Sequence, residues 1–320
     1  VELLLNSSEM AVVGLTEVFS KLGTIIRASR TLKKILKNER PDLLILIDYP
    51  DFNIHIAGAA KRNKIPVLYY ISPQIWAWRG GRVKKIARRV DKMALILPFE
   101  ERFYQSSGLD ADYVGHPLLD NIHYAKDKGI ALKELCIEDG SPVLGILPGS
   151  RKEEITTLLP VMIKAAEDLL PSFPNLKCVL PLAPTIPTDL INTVVSGSPI
   201  DIKVFQDEDI YRILRACDLS FVASGTATLE VAIMEVPMII MYKVSPLSYW
   251  IGKRVINVPF ISLVNLVAEE EIVPELIQDK VDVNTVTHMA IRIIEDDRFR
   301  ENMIKGLKRV KDKLGKGGAS

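Results

Sequence analysis

The residues best placed to do chemistry lie in the stretch Asp218-Leu-Ser-Phe-Val-Ala-Ser-Gly-Thr-Ala-Thr-Leu-Glu230. Leu219 to Ala223 is a short apolar run suited to a parallel strand covered on both faces, and Ser224, Gly225 and Thr226 then turn the backbone with its N–H groups outward. Such amides bind anions. A helix beginning near Thr226 adds the positive end of its dipole, so a diphosphate can be held there without a metal. The plain alternative is an ordinary strand–helix turn whose Ser and Thr cap the helix. Glu230 favours the first reading: four residues into the helix it projects back over the turn, where a carboxylate can accept both hydroxyls of a ribose.

Other strand ends carry further candidates. In Ile47-Asp-Tyr-Pro-Asp-Phe-Asn53 an Asp occupies a strand tip before a Pro. Asp51 or Asn53 is expected to cap the following helix, whereas Asp48 faces the crevice, where a carboxylate can take a proton from an attacking hydroxyl. In Leu147-Pro-Gly-Ser-Arg-Lys-Glu-Glu-Ile155 a Gly turn leads into a helix start carrying Arg151. Arg151 can pair bidentately with phosphate oxygens; the alternative, a solvated Arg at a helix start, is less natural because cations are disfavoured at helix N-termini. Asn265, in Ile261-Ser-Leu-Val-Asn-Leu266, needs partners for a polar amide in an apolar segment, either a loop or a substrate. His116, in Tyr113-Val-Gly-His-Pro117, falls at a strand end and reads as a structural or a substrate-facing histidine.

No metal and no cofactor is called for. Asp207-Glu-Asp209 precedes an amphipathic helix and reads as N-terminal capping rather than a metal site; His55, His116, His123 and His288 have no ligand spacing. The Gly-x-Ser-x-Gly elbow of a serine hydrolase is absent from the sequence. Two basic stretches remain. Between Arg79 and Lys92, Val83, Ile86, Ala87 and Val90 share a helical face while Arg82, Lys84, Lys85, Arg88 and Arg89 cover the rest, preceded by Trp76 and Trp78. That pattern suits either an interfacial helix on anionic lipid or the solvated face of a crossover helix. From Arg298 to Lys313 the apolar side, Phe299, Met303, Leu307, Val310 and Leu314, reads as a packed terminal helix.

To position these residues the chain must build strands that end side by side. Its 320 residues, 48% hydrophobic and 25% charged, suffice for about two domains, and a net charge of +1 argues against a dedicated nucleic-acid binder. Cys136, Cys178 and Cys217 are scattered, as suits reduced cytosolic thiols, and no apolar run reaches the roughly 18 residues of a membrane span. Strands are expected at 43–47, 65–71 and 93–97, with helices at 53–63 and 82–90. After 113–117 the pattern loosens through Gly140 and Pro142, then resumes with strands at 143–147, 176–180, 202–205, 219–223 and 238–241 and helices near 153–170, 209–216, 226–235 and 246–256. Two Rossmann-like parallel sheets follow from this α/β alternation. No stretch specifies an oligomeric state.

Asp48-Tyr-Pro-Asp-Phe-Asn53, Tyr69-Tyr-Ile-Ser-Pro-Gln-Ile-Trp-Ala-Trp-Arg79, Leu97-Pro-Phe-Glu100, Val114-Gly-His-Pro117, Leu147-Pro-Gly-Ser-Arg151, Ala223-Ser-Gly-Thr-Ala-Thr-Leu-Glu230 and Ser262-Leu-Val-Asn-Leu266, in this order, closely resemble the lipid-A-disaccharide synthase family over nearly the whole chain. The resemblance implies a GT-B fold of two Rossmann-like domains facing a crevice: an acceptor-binding domain, residues 1–120, and a UDP-sugar donor domain, residues 121–320, with a C-terminal helix. It implies an inverting transfer from UDP-2,3-diacylglucosamine to 2,3-diacylglucosamine 1-phosphate, giving a β-1,6 disaccharide and UDP. Asp48 matches the family's general base, Arg151 and the Ser224–Thr226 amides would hold the departing diphosphate, Glu230 the ribose, and Asn265 matches a position tied to activity. Acylated substrates also favour peripheral contact of a cytoplasmic enzyme with the inner membrane.

One departure is clear. The family begins with a strand and a Gly-Glu-x-Ser-Gly-Asp loop that nothing here matches, so the chain is expected to lack the first strands of the acceptor sheet. The alternatives are another GT-B user of UDP-N-acetylglucosamine, a transferase or a 2-epimerase, and a non-catalytic nucleotide-sugar-binding remnant.

Overall fold

A computed structural model describes residues 3, 15–75, 80–122, 127–206, 209–255 and 258–320. By its contacts the chain divides into two compact units, Val1–Val114 and Gly115–Ser320.

The first unit alternates helix and strand: α1 (Leu15–Asn38), β1 (Leu44–Ile47), α2 (Pro50–Arg62), β2 (Val67–Tyr70), α3 (Val83–Ala87), β3 (Lys92–Leu95), α4 (Glu101–Gln105) and β4 (Asp110–Tyr113). The strands lie parallel in the order β1-β2-β3-β4, as helical crossovers require. Ile56 and Ala60 of α2, Tyr69 of β2, Ile86 of α3, Met93 and Leu95 of β3 and Tyr104 of α4 form its core. The two edges differ from the centre. β1 buries Leu46 but leaves Ile45 and Ile47 exposed, whereas β2 and β3 each bury two residues, Val67 and Tyr69, and Met93 and Leu95. On β4, Asp110 and Asp112 stay exposed and pair with Lys92.

The expected cap of α2 is corrected. Pro50 takes the first helical position, which its fixed φ and missing N–H suit. Asp51 and Asn53 therefore fall inside the first turn: Asp51 pairs with Arg82 at 2.6 Å, and Asn53 donates its amide back to the carbonyls of Ile47 (3.0 Å) and Asp48 (2.7 Å). α3 is shorter than the expected 82–90, and beyond it Arg89 donates its guanidinium to the Ile54 carbonyl at 2.9 Å.

The second unit continues with α5 (Lys128–Glu134), β5 (Val143–Leu147), α6 (Lys152–Glu167), β6 (Lys177–Leu182), α7 (Thr188–Val195), β7 (Ile202–Gln206), α8 (Ile210–Ala216), β8 (Leu219–Ala223), α9 (Ala227–Ile233), β9 (Met238–Tyr242), α10 (Pro246–Val255), α11 (Leu263–Ala268), β10 (Glu275–Ile277), α12 (Val283–Glu295) and α13 (Asp297–Lys313). Its six parallel strands are ordered β10-β9-β8-β5-β6-β7. Counted from β5, this is the doubly wound order in which the chain reverses direction between its first and fourth strands, here β5 and β8. Both are buried at every residue and stay in register from Leu144↔Leu219 to Leu147↔Val222. Met303, Leu307 and Val310 of α13, with Leu314 after it, are fully packed, as their spacing predicts. Beyond it the backbone amides of Gly318, Ala319 and Ser320 close on the Asp120 carboxylate.

Candidate functional site

Ligands of doubly wound sheets sit beyond the carboxyl ends of the strands at the point of reversal. There, β5 ends in Pro148-Gly-Ser-Arg151 and β8 in Ser224-Gly-Thr226. The fold thus brings the two stretches that the sequence singled out onto neighbouring strands.

In the first of these loops Gly149 has φ +111, and a Cβ there would lie 2.3 Å from Glu154 Oε2, so only glycine fits. Glu154 is a residue that sequence reasoning missed. From the first turn of α6 it accepts the Ser150 N–H at 3.1 Å and the Arg151 guanidinium at 3.0 Å. Arg151 is thereby aimed while its side chain stays 65% exposed. Tyr242, the last residue of β9, joins the group: burial, then the Glu154 carboxylate, raise its phenol, and Arg151 opposes that rise. Its signal was its place at a strand end, which the expected strand 238–241 stopped one residue short of.

In the second loop the amides are not equivalent. Ser224 N–H donates to the Met241 carbonyl at 2.9 Å and extends the sheet. Gly225 and Thr226 lie at the start of α9, where helix N–H groups have no intrahelical partner. A Cβ on Gly225 would meet nothing within 4 Å, so the protein does not need glycine there for packing; the space lies open to a ligand. Behind the turn, Thr228 ties its hydroxyl to the Gly225 carbonyl at 2.7 Å.

Glu230, one turn into α9, is half-buried, and burial raises its carboxyl above the ordinary range. Among the described residues no side chain or amide hydrogen-bonds to that carboxylate. A partly buried carboxylate with a raised pKa and no such partner beside an open turn makes Glu230 a candidate for ligand contact. The charge also reaches Tyr211 on α8, whose phenol is pushed up to about 12 mainly by burial and next by Glu230. Tyr211 in turn donates to the Leu118 carbonyl at 3.4 Å, which places the His116–Leu118 turn beside this cluster. Tyr211 too was missed, since nothing in its local spacing separates it from a core aromatic.

His116 is 4% exposed, and burial lowers its pKa to about 4, so the ring is neutral at physiological pH. Nδ1 accepts the Leu118 N–H at 3.2 Å, which puts the ring hydrogen on Nε2. In that tautomer His116 offers a donor rather than a base.

Asn265 is fully buried. Its amide donates to Val273 O (2.9 Å) and Glu275 Oε1 (2.8 Å), and its carbonyl accepts from Ile272 N and Val273 N. Glu275 further accepts both Ser262 groups, N–H and hydroxyl. All four side-chain hydrogen-bonding positions of Asn265 are therefore spent on pinning the 261–275 segment.

In the first unit Asp48 stands exposed at the end of β1. It and Tyr49 both adopt left-handed backbone, φ 45 and 44, a conformation that costs about 1–3 kcal/mol per residue and survives only when the surroundings impose it. Here the Asp48 carbonyl accepts from Tyr69 Oη (2.6 Å) as well as from Asn53, and its N–H donates to Tyr70 O (3.1 Å). The neighbours hold the backbone and leave the carboxylate projecting.

The basic stretch behaves differently from an interfacial helix. Ile86 and Val90 are buried in the first unit's core, with Val83 and Ala87 packed against it. Lys84, Lys85 and Arg88 are exposed, and Trp76 and Trp78 lie outside the described residues. No described helix is long and apolar enough to cross a membrane. Asp209 caps α8 by accepting Tyr211 N–H at 3.0 Å, as expected, while Asp207 and Glu208 lie outside the described residues. Among the described residues no group of three or more His, Cys, Asp or Glu is placed to hold a metal ion.

Comparison with known proteins gives one consistent picture. Residues 1–319 match the family model described as lipid-A-disaccharide synthetase. A relative from Geobacter sulfurreducens named lipid-A-disaccharide synthase is 46% identical over 320 residues, covering 100% of this chain and 83% of that protein. Two solved structures are similar in fold. The UDP-GlcNAc 2-epimerase of Neisseria meningitidis bound to UDP-GlcNAc has a TM-score of 0.59 at 13% identity over 94% of this chain and 80% of that one. A glycosyltransferase of Rickettsia africae has a TM-score of 0.56 at 12% identity over 91% and 77%. The fold is of the GT-B type.

Proposed function

The chain belongs to the lipid-A-disaccharide synthase family, glycosyltransferases of lipid A biosynthesis, and from that premise we propose that it joins UDP-2,3-diacylglucosamine to 2,3-diacylglucosamine 1-phosphate. The observation that carries the donor half of this reading is Glu230, a half-buried carboxylate with no hydrogen-bond partner among the described residues, behind an open Gly225 turn. It accepts the ribose hydroxyls. The amides of Gly225 and Thr226 and the guanidinium of Arg151 take the diphosphate, with Ser224 shaping the turn. His116 donates through Nε2.

In the transfer, the acceptor's 6-hydroxyl oxygen attacks the anomeric carbon of the donor and gives its proton to the Asp48 carboxylate. The bond from that carbon to the β-phosphate oxygen breaks, its electron pair leaves with UDP, and configuration inverts. Arg151 and the α9 amides act where negative charge develops, the stabilisation that contributes most to such transfers. The epimerase reading is set aside because that likeness is one of fold at 13% identity, whereas the synthase relatives share up to 46%.

Acylated substrates bring the cytoplasmic enzyme to the inner membrane, and the exposed Lys84, Lys85 and Arg88 supply attraction to anionic headgroups. Titrating UDP in the presence of a chelator tests the donor site: binding should persist, and its loss would transfer the countercharge to a metal and overturn this assignment.

A further inference from the structure

Helix α10 is built unlike the other helices around the second sheet. Leu247 is 69% exposed and Trp250 57%, the two most exposed large hydrophobic side chains among the described residues of that unit. They stand three residues apart, with Arg254 a further turn along, so the three share one helix face. The Arg254 guanidinium lies 3.4 Å from the centre of the Trp250 ring, an arrangement that presents an aromatic and a cation together. Lys253 is exposed beside it, and the helix contains no acidic residue. Among the described residues neither Lys253 nor Arg254 has a carboxylate partner. An apolar wedge left in water at this exposure is unfavourable unless something covers it.

We propose that this face of α10 seats on an anionic lipid surface, with Trp250 and Leu247 entering the headgroup region and Lys253 and Arg254 meeting the lipid charge. The chemistry fits that occupant in both parts. Tryptophan places an amphipathic ring at the level of the headgroups, and two cations without a neighbouring acid are attracted to anionic lipid. A protein partner of the usual size would demand a larger apolar area than two side chains. The inference rests on the reading that the substrates are membrane lipids and adds a contact separate from the basic face of α3.

The test is co-sedimentation of the full chain with vesicles of phosphatidylcholine containing 30% phosphatidylglycerol, and of phosphatidylcholine alone. Lys253→Ser/Arg254→Ser should reduce the partition on anionic vesicles about 30-fold, from roughly fivefold for each charge near the surface. Leu247→Ser/Trp250→Ser should reduce it at least tenfold on the same vesicles, with UDP affinity unchanged in both variants. In a Trp76→Phe/Trp78→Phe chain, Trp250 is the sole tryptophan, and its emission should shift to the blue on vesicle binding and be quenched by brominated lipid. Unchanged partition of both α10 variants, with Lys84→Ser/Lys85→Ser/Arg88→Ser losing it, would overturn the α10 contact and keep the membrane reading. A fall in oligomeric mass in the Leu247→Ser/Trp250→Ser variant without loss of vesicle binding would identify a self-association face and overturn it too. Failure of the unaltered chain to bind either vesicle would remove both.

Discussion

Replacing Glu230 by Gln keeps the side chain's shape and removes a charge that burial disfavours. Because burial raises the folded-state carboxyl pKa, the native chain holds that proton more tightly than the unfolded chain. Stability from this group is then fullest below the unfolded value of about 4.3 and is lost as pH rises through the folded one. At pH 7 the charged Glu230 costs stability, so the Gln variant should melt higher, by about 2–4 °C for each kcal/mol relieved in a unit of this size. That advantage should vanish as pH falls to about 4. Binding should move the other way. On the proposed donor site, two ribose hydroxyls would donate to the carboxylate in charge-assisted bonds of about 1.5–3 kcal/mol each, and an amide would replace them with one neutral acceptor worth about 1 kcal/mol. A loss of at least 2 kcal/mol, or roughly 30-fold in Kd for UDP, follows. Calorimetric titration with UDP and with 2′-deoxy-UDP separates the effect: the unaltered chain should discriminate between them more strongly than the variant does. Equal melting temperatures together with unaltered UDP affinity would refute the reasoning and make Glu230 a packing residue.

Three further outcomes are expected. Asp48→Asn should lower turnover by roughly 10²- to 10⁴-fold with UDP affinity nearly unchanged; near-normal turnover would show that the proton goes elsewhere. Arg151→Ala should weaken UDP by about 1.5–3 kcal/mol, the worth of a charge-assisted pair, as read by titration. The depressed His116 pKa of about 4 predicts that stability is fully present above about 6.5 and falls by roughly 3 kcal/mol as pH drops to about 4, because the unfolded chain binds the proton first. His116→Asn keeps an acceptor for the Leu118 N–H and should flatten that dependence in denaturant titrations; an unchanged slope would assign it to other groups.

The parts of the fold that were legible in the sequence are those where one local property decides the outcome. β5 and β8 are buried at every residue, so their largely apolar runs set their limits to the residue. The Gly149 turn and the Gly225 turn could be located because each follows such a strand. What escaped depends on partners distant in sequence. Asn265 appeared equally suited to a loop or a substrate, and the choice was made by Val273 and Glu275, eight and ten residues on. α11 has six residues, too few for helical periodicity to register. The α2 cap was misplaced because the left-handed pair Asp48–Tyr49 starts the helix at Pro50, and a strained backbone leaves no compositional trace. The apolar side of α3 has the same spacing whether it meets lipid or a core, and only the packing of Ile86 and Val90 against β2 and its neighbours distinguishes them.

The account stands on transfer between two acylated sugars. Purified protein supplied with UDP-2,3-diacylglucosamine and 2,3-diacylglucosamine 1-phosphate in detergent micelles, with a chelator present, should yield the β-1,6 disaccharide 1-phosphate and one UDP per disaccharide by mass spectrometry. UDP bound with no disaccharide formed, or UDP-N-acetylglucosamine turned over without any acceptor, would contradict it.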